Sequence, residues 1–79
     1  MTEMFVGYAG NGTIQKNLKD TEAVAEFIVE NGVKSDITIT DELDCLVCNT
    51  YGIFINCCPD KDFLRELLKY LVPMQNELM

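Results

Sequence analysis

The sequence has no histidine and no tryptophan, and its single serine is Ser35. Without histidine, the Ser–His and Cys–His pairs that activate most nucleophiles cannot be assembled. Bases are scarce as well. Six Lys and Arg stand against thirteen Asp and Glu, giving a formal net charge of −7. Binding to a phosphate backbone rests on Lys and Arg releasing counterions, so direct nucleic-acid binding is not expected. No apolar run approaches the roughly 20 residues of a membrane-crossing helix. The start, Met1-Thr2-Glu3-Met4-Phe5, lacks the basic and apolar regions of a signal peptide. The expectation is a cytosolic chain with no membrane partner. Carboxylates are plentiful, but 79 residues can hardly enclose a hydrolase cleft. The composition points to a binding protein and away from an enzyme.

What is present concentrates in the stretch from Asp44 to Pro59, which holds all four cysteines and the densest apolar run. Thr50-Tyr51-Gly52 reads as a three-residue hairpin loop, with glycine at the left-handed position and Asn49 opening the turn. That loop pairs Asn49 with Ile53, Val47 with Ile55, and Cys45 with Cys57. Leu43, Cys45, Val47, Ile53, Ile55 and Cys57 then share one face. Leu46, Cys48 and Phe54 are expected on the other, beside Asp44, Asn56 and Cys58.

Elsewhere, Met4 to Gly10 reads as a strand and Asn11-Gly12 as a tight hairpin turn, with Thr13 to Leu18 returning. Gly7, Gly10 and Gly12 lack the G-x-G-x-x-G spacing of a phosphate loop and read as turn and close packing. Asp20 or Thr21 caps a helix through Glu30, with Val24, Phe27 and Ile28 inward. Asn31-Gly32 stops it, Val33 folding back on Ile28. Ser35 to Thr40 is a short strand. Pro59 is expected at the first position of the last helix, whose core stripe is Leu64, Leu67, Leu68 and Leu71, widened by Phe63, Tyr70 and Val72. Pro73 disfavours helix at Val72, so the main helix should stop or kink there, with Met74 to Met79 adding at most a frayed turn. The fold class is α+β: a single domain with a mainly antiparallel sheet of three to five strands, two helices on one face, and the order ββαβββα. From Asp20 onward, αβββα resembles a double-stranded-RNA-binding domain in topology. The basic residues such a domain needs at its second helix and loops are mostly absent, so its function is not carried over.

The cysteine spacing is C-x2-C-x8-C-C, formed by Cys45, Cys48, Cys57 and Cys58. A C-x2-C knuckle, a hairpin, and two cysteines at a helix start resemble a shortened treble-clef zinc finger. The adjacent Cys57-Cys58 pair replaces the family's second C-x2-C. The resemblance implies one structural zinc ion held by all four. Zinc requires Cys45 to Cys48 to form a turn, since in a strand they lie about 10 Å apart on opposite faces. The alternatives are four reduced cysteines buried in the sheet, or a Cys45–Cys57 disulfide.

Glu22, Glu26 and Glu30 recur every fourth residue on one helix, and Lys61, Arg65 and Lys69 do so on the other. Either the rows neutralise each other across adjacent helices, or the glutamates join Asp41, Glu42 and Asp44 in an acidic ridge for a basic cleft. Leu46 and Phe54 are expected to lie bare on the sheet face away from the helices, unless the N-terminal hairpin covers them. Small size, acidity and missing catalytic chemistry resemble, in general character, phage and mobile-element anti-defence proteins, anti-CRISPR proteins among them. The resemblance implies an inhibitor that binds the basic surface of a nucleic-acid-handling protein such as a CRISPR effector. The other reading is a homodimeric structural or regulatory module joined through its sheet face.

Overall fold

Strand β1, Phe5–Ala9, buries Phe5, Gly7 and Ala9 and leaves Val6 and Tyr8 half-buried on its other side. The structure, a computed structural model, describes residues 5–10, 12–31, 36–51 and 54–78. Strand β2, Ile14–Leu18, returns antiparallel, with Phe5 opposite Leu18 and Ala9 opposite Ile14. The connecting loop therefore spans residues 10–13 and is longer than the two-residue turn expected from Asn11-Gly12. Gly10 and Gly12 adopt φ of 60° and 87° there, a region closed to most side chains. The Gly12 N–H donates to the Ala9 carbonyl at 3.1 Å.

Helix α1, Thr21–Asn31, follows at once. The Asp20 carboxylate accepts the Ala23 N–H at 2.8 Å, satisfying one of the donors a helix start leaves free. Val24, Ala25, Phe27 and Ile28 form the buried stripe. At the other end the Asn31 side-chain amide donates to the Phe27 carbonyl at 3.0 Å. The expected contact of Val33 with Ile28 falls outside the described residues.

Strands β3 (Asp36–Thr40), β4 (Leu46–Tyr51) and β5 (Phe54–Cys57) complete an open, wholly antiparallel sheet of order β2-β1-β3-β4-β5. β1 pairs with β3 through Val6–Thr40, Gly7–Ile39 and Tyr8–Thr38. The N-terminal hairpin thus extends the sheet edgewise and does not fold across its outer face.

Helix α2 spans Lys61–Leu78. Asp60 caps it, its Oδ1 accepting the Asp62 N–H at 2.9 Å and the Phe63 N–H at 3.2 Å. Pro59 therefore sits two residues before the first helical position, not in it. Of the stop or kink expected at Val72, the stop does not occur, because Pro73 lies inside the helix. Proline removes one hydrogen bond of the ladder. The apolar side continues past it, since Leu67 and Leu71 are buried and Met74 packs against the same core, and the helix persists to Leu78. The stripe is also rotated from expectation, with Leu68 and Val72 on the exposed side. No described helix is long and apolar enough to cross a membrane.

Both helices serve one sheet face. Leu18, Ile37, Ile39 and Cys48 from the strands meet Phe27, Ile28, Leu67 and Leu71 from the helices in one buried cluster. α2 lies against α1 and reaches β1 through Phe63, whose ring centroid is 5.4 Å from that of Phe5. The opposite sheet face is open.

Candidate functional site: an acid-rimmed groove and an open sheet face

Two irregularities in the central strands decide where the candidate residues point. Between β3 and β4, Ile39 pairs with Cys48 but Thr40 pairs with Leu46, so Val47 is an extra residue. Between β4 and β5, Thr50 pairs with Ile55 and Asn49 with Cys57, so Asn56 is extra. A bulge of this kind shifts the inward–outward alternation by one. The expected pairs Val47–Ile55 and Cys45–Cys57 are replaced by Thr50–Ile55 and Asn49–Cys57. Tyr51 stays in the strand opposite Phe54, so Thr50-Tyr51-Gly52 is not the loop. Both Thr50 and Tyr51 are strand-prone, and remaining paired adds two rungs to the ladder. Ile53, and its expected pairing with Asn49, lies outside the described residues.

The cysteines part company. Cys48 is fully buried on the helix side of the sheet, where outward exposure beside Leu46 and Phe54 was expected. It stands opposite the buried Ile39 and on the same side as the buried Thr50. Burial pushes its thiol up to about 12, with smaller contributions from Cys58 and Cys57. Cys58 is half-buried; burial, then the Asp60 charge, raises its thiol too. Cys45 and Cys57 are exposed, and all four thiols are free, with no Cys45–Cys57 disulfide. Four zinc thiolates need sulfurs roughly 4 Å apart. Cys48 lies in the core and Cys45 in an exposed loop, while Cys57 and Cys58 are near enough to Cys48 to raise its thiol. Among the described residues no three His, Cys, Asp or Glu side chains are grouped to hold a metal.

The acids fall into two groups. Glu22, Glu26 and Glu30 are all exposed on α1, and Lys61, Arg65 and Lys69 are all exposed on α2. The helices touch, yet no ion pair within 4.0 Å joins these rows among the described residues. Mutual neutralisation, one of the two readings of the pattern, is not made.

Asp41, Glu42 and Asp44 lie in the loop between β3 and β4. Asp41 organises it: Oδ1 accepts the Leu43 N–H at 2.8 Å and the Cys45 N–H at 2.9 Å. Its own N–H donates to the Cys45 carbonyl at 2.9 Å. Asp44 takes a left-handed φ of 64°, which Asp tolerates better than most residues. Glu42 and Asp44 are exposed, and Leu43 between them is 82% exposed.

This loop and the start of α2 bound a groove of about 570 Å³. Phe5, Val47 and Phe63 give it an apolar floor, since each packs in or against the core. Leu43, Leu46 and Pro59 line it further out, and Asp41, Glu42 and Asp60 supply charge of one sign. Periodicity along the chain could not reveal the groove, because its floor comes from three elements far apart in sequence. The traceable signal was the clustering of acids in Asp41-Glu42 and Asp60.

Leu46 and Phe54 do not form one patch. Leu46 starts β4 opposite Thr40 and lines the groove, whereas Phe54 pairs with Tyr51 at the far end of the strand. Five residues of strand put them on the order of 15 Å apart. Phe54 is 70% exposed and Tyr51 51%, so an aromatic pair stands at that corner of the open face. Between the two ends the face is polar and internally bonded. The Asn49 amide donates to the Ile37 carbonyl at 3.1 Å and to Thr38 Oγ1 at 3.3 Å, and its oxygen accepts from Asn56 at 3.3 Å.

No protein-family model, no curated protein and no solved structure matches the chain.

Proposed function

We propose that this is a non-enzymatic, acidic inhibitor that binds the basic surface of a nucleic-acid-handling protein such as a CRISPR effector. The observation that supports it is the exposed glutamate row on α1, which has no ion pair among the described residues. Glu22, Glu26 and Glu30 stand about 6 Å apart along the helix and are exposed. Like charges at that spacing weaken a helix by a few tenths of a kcal/mol per pair, and no base of α2 offsets it. A cationic partner surface would. The absence of histidine and a net charge of −7 fit binding in place of chemistry and disfavour phosphate contact. The test is target cleavage by a purified RNA-guided nuclease, titrated with this protein at several salt concentrations. Inhibition that weakens with salt, and that the combined Glu22→Lys, Glu26→Lys and Glu30→Lys variant loses while its salt dependence flattens, is the expected result. Unchanged affinity of that variant at low salt removes the row from the mechanism.

A homodimer joined through the open sheet face is the second reading. It rests on the exposed Tyr51–Phe54 pair.

A further inference from the structure

We infer that the groove between the Asp41–Cys45 loop and the start of α2 is a docking slot for a basic protein segment. A large apolar side chain of the segment lies on the floor, and a neighbouring Lys or Arg reaches the rim. The volume of about 570 Å³ falls within the range of ligand-binding clefts, roughly 300–1,000 Å³, and exceeds what one ion or one side chain needs. The floor of Phe5, Val47 and Phe63 supplies apolar surface, and Leu43, 82% exposed, is an uncovered apolar wall beside it. Such a site favours an occupant that is partly apolar.

The rim then selects its charge. Asp41, Glu42 and Asp60 are its ionisable groups, and no base lines the groove among the described residues. Asp41 and Asp60 each hold two backbone N–H groups on Oδ1. Their carboxylates are therefore fixed before any partner arrives, and the second oxygen of each has no partner among the described residues. A preset acceptor loses little rotamer entropy on binding. The positive end of the α2 dipole opposes a cation, but it amounts to about half a charge and faces Asp60 and Asp62 as well as the rim. Three carboxylates exclude a phosphate-bearing ligand. A second copy of this chain would bring seven excess negative charges of its own.

Only the premise of a basic partner is shared with the functional reading, so the two can fail separately. The probe is a blocked hexapeptide alternating Lys and Leu, titrated into the full chain and followed by amide NMR shifts. Two counterparts replace Lys by Gln or Leu by Ala. Saturable shifts at Phe5, Leu43, Val47 and Phe63, with both counterparts binding about tenfold more weakly or worse, are expected. Equal binding of the Ala counterpart, or shifts confined to α1, overturns the slot. The double variant Glu42→Gln with Asp60→Asn removes two rim charges while Asn still caps α2. It should lose about tenfold in peptide affinity at an unchanged melting temperature. Should that variant fold poorly, Leu43→Ser, at a residue outside the core, must still weaken the peptide severalfold; if it does not, the slot is wrong. Reversal of the α1 row should leave peptide binding at these amides intact. Loss of nuclease inhibition on that reversal, together with full inhibition by the rim variant, would keep the functional reading and discard the slot as its contact.

Discussion

At Gly7 an added Cβ would stand 2.7 Å from the Phe27 ring and 3.0 Å from Leu18. Glycine here serves close packing, letting the Phe27 ring lie on the strand, and no turn requires it. Cys48 shows the opposite case, a small side chain that fills its site and is held neutral by it. Its folded-state thiol lies above the ordinary value of 9.0, near 12. The folded protein therefore keeps a proton that the unfolded chain has already released. The resulting stability is complete below about pH 9 and is lost as pH rises toward about 12, by up to ~1.4 kcal/mol per unit. Urea midpoints taken between pH 8 and 11 should fall more steeply for the parent protein than for Cys48→Ala, which lacks the group. Parallel slopes would mean that the thiol is not sealed in the core.

Among the elements, α2 carries an internal conflict. Its Asp60 cap and its Phe63–Leu67–Leu71–Met74 side favour a single helix, and Pro73 opposes it. An interior proline costs about 3 kcal/mol or more in an isolated helix, by lost hydrogen bond and clash with the preceding turn. Packing of Leu71 and Met74 on either side offsets that cost here. Pro73→Ala should then raise stability by about 1–3 kcal/mol without altering the fold, read as a higher melting temperature and slower amide exchange in the last turns. A neutral or lower melting temperature would show that the helix past Leu71 contributes nothing to the core.

On the scale of the whole molecule, one face of the sheet carries both helices and the other carries none. The open face is mostly polar and bonded within itself around Asn49, so a dimer through it would depend on the Tyr51–Phe54 corner. Phe54→Asp tests that dependence cleanly, because a 70% exposed ring contributes little to the core. In sedimentation velocity over a range of concentrations, a dimer of the parent should become a folded monomer in the variant. A parent that stays monomeric throughout removes the second functional reading. An unfolded variant would instead mean that Phe54 is core.

Local chemistry was enough to place the elements. Asp20 announces a helix start because a short acid side chain satisfies the first free N–H donors, whereas the cap at Asp60 differs from the expected start at Pro59. Val24, Phe27 and Ile28 recur at helical spacing, so the inward face of α1 follows from periodicity, as does the order ββαβββα; for β1 periodicity separates two sides, and only the fold decides that Phe5, Gly7 and Ala9 point inward. The exposed glutamate row was legible for the same reason. Tertiary structure decided what periodicity cannot carry. Tyr51 stayed paired with Phe54, which separated Phe54 from Leu46, and the register set Cys48 opposite the buried Ile39, while extra residues at Val47 and Asn56 reset the alternation beyond them. A side-chain period of two has no memory beyond a bulge, and bulges are set by how three strands must pair at once. The continuation of α2 past Pro73 and the gathering of Phe5, Val47 and Phe63 under an acidic rim are likewise products of packing between distant segments, where contact energy overrides local preference.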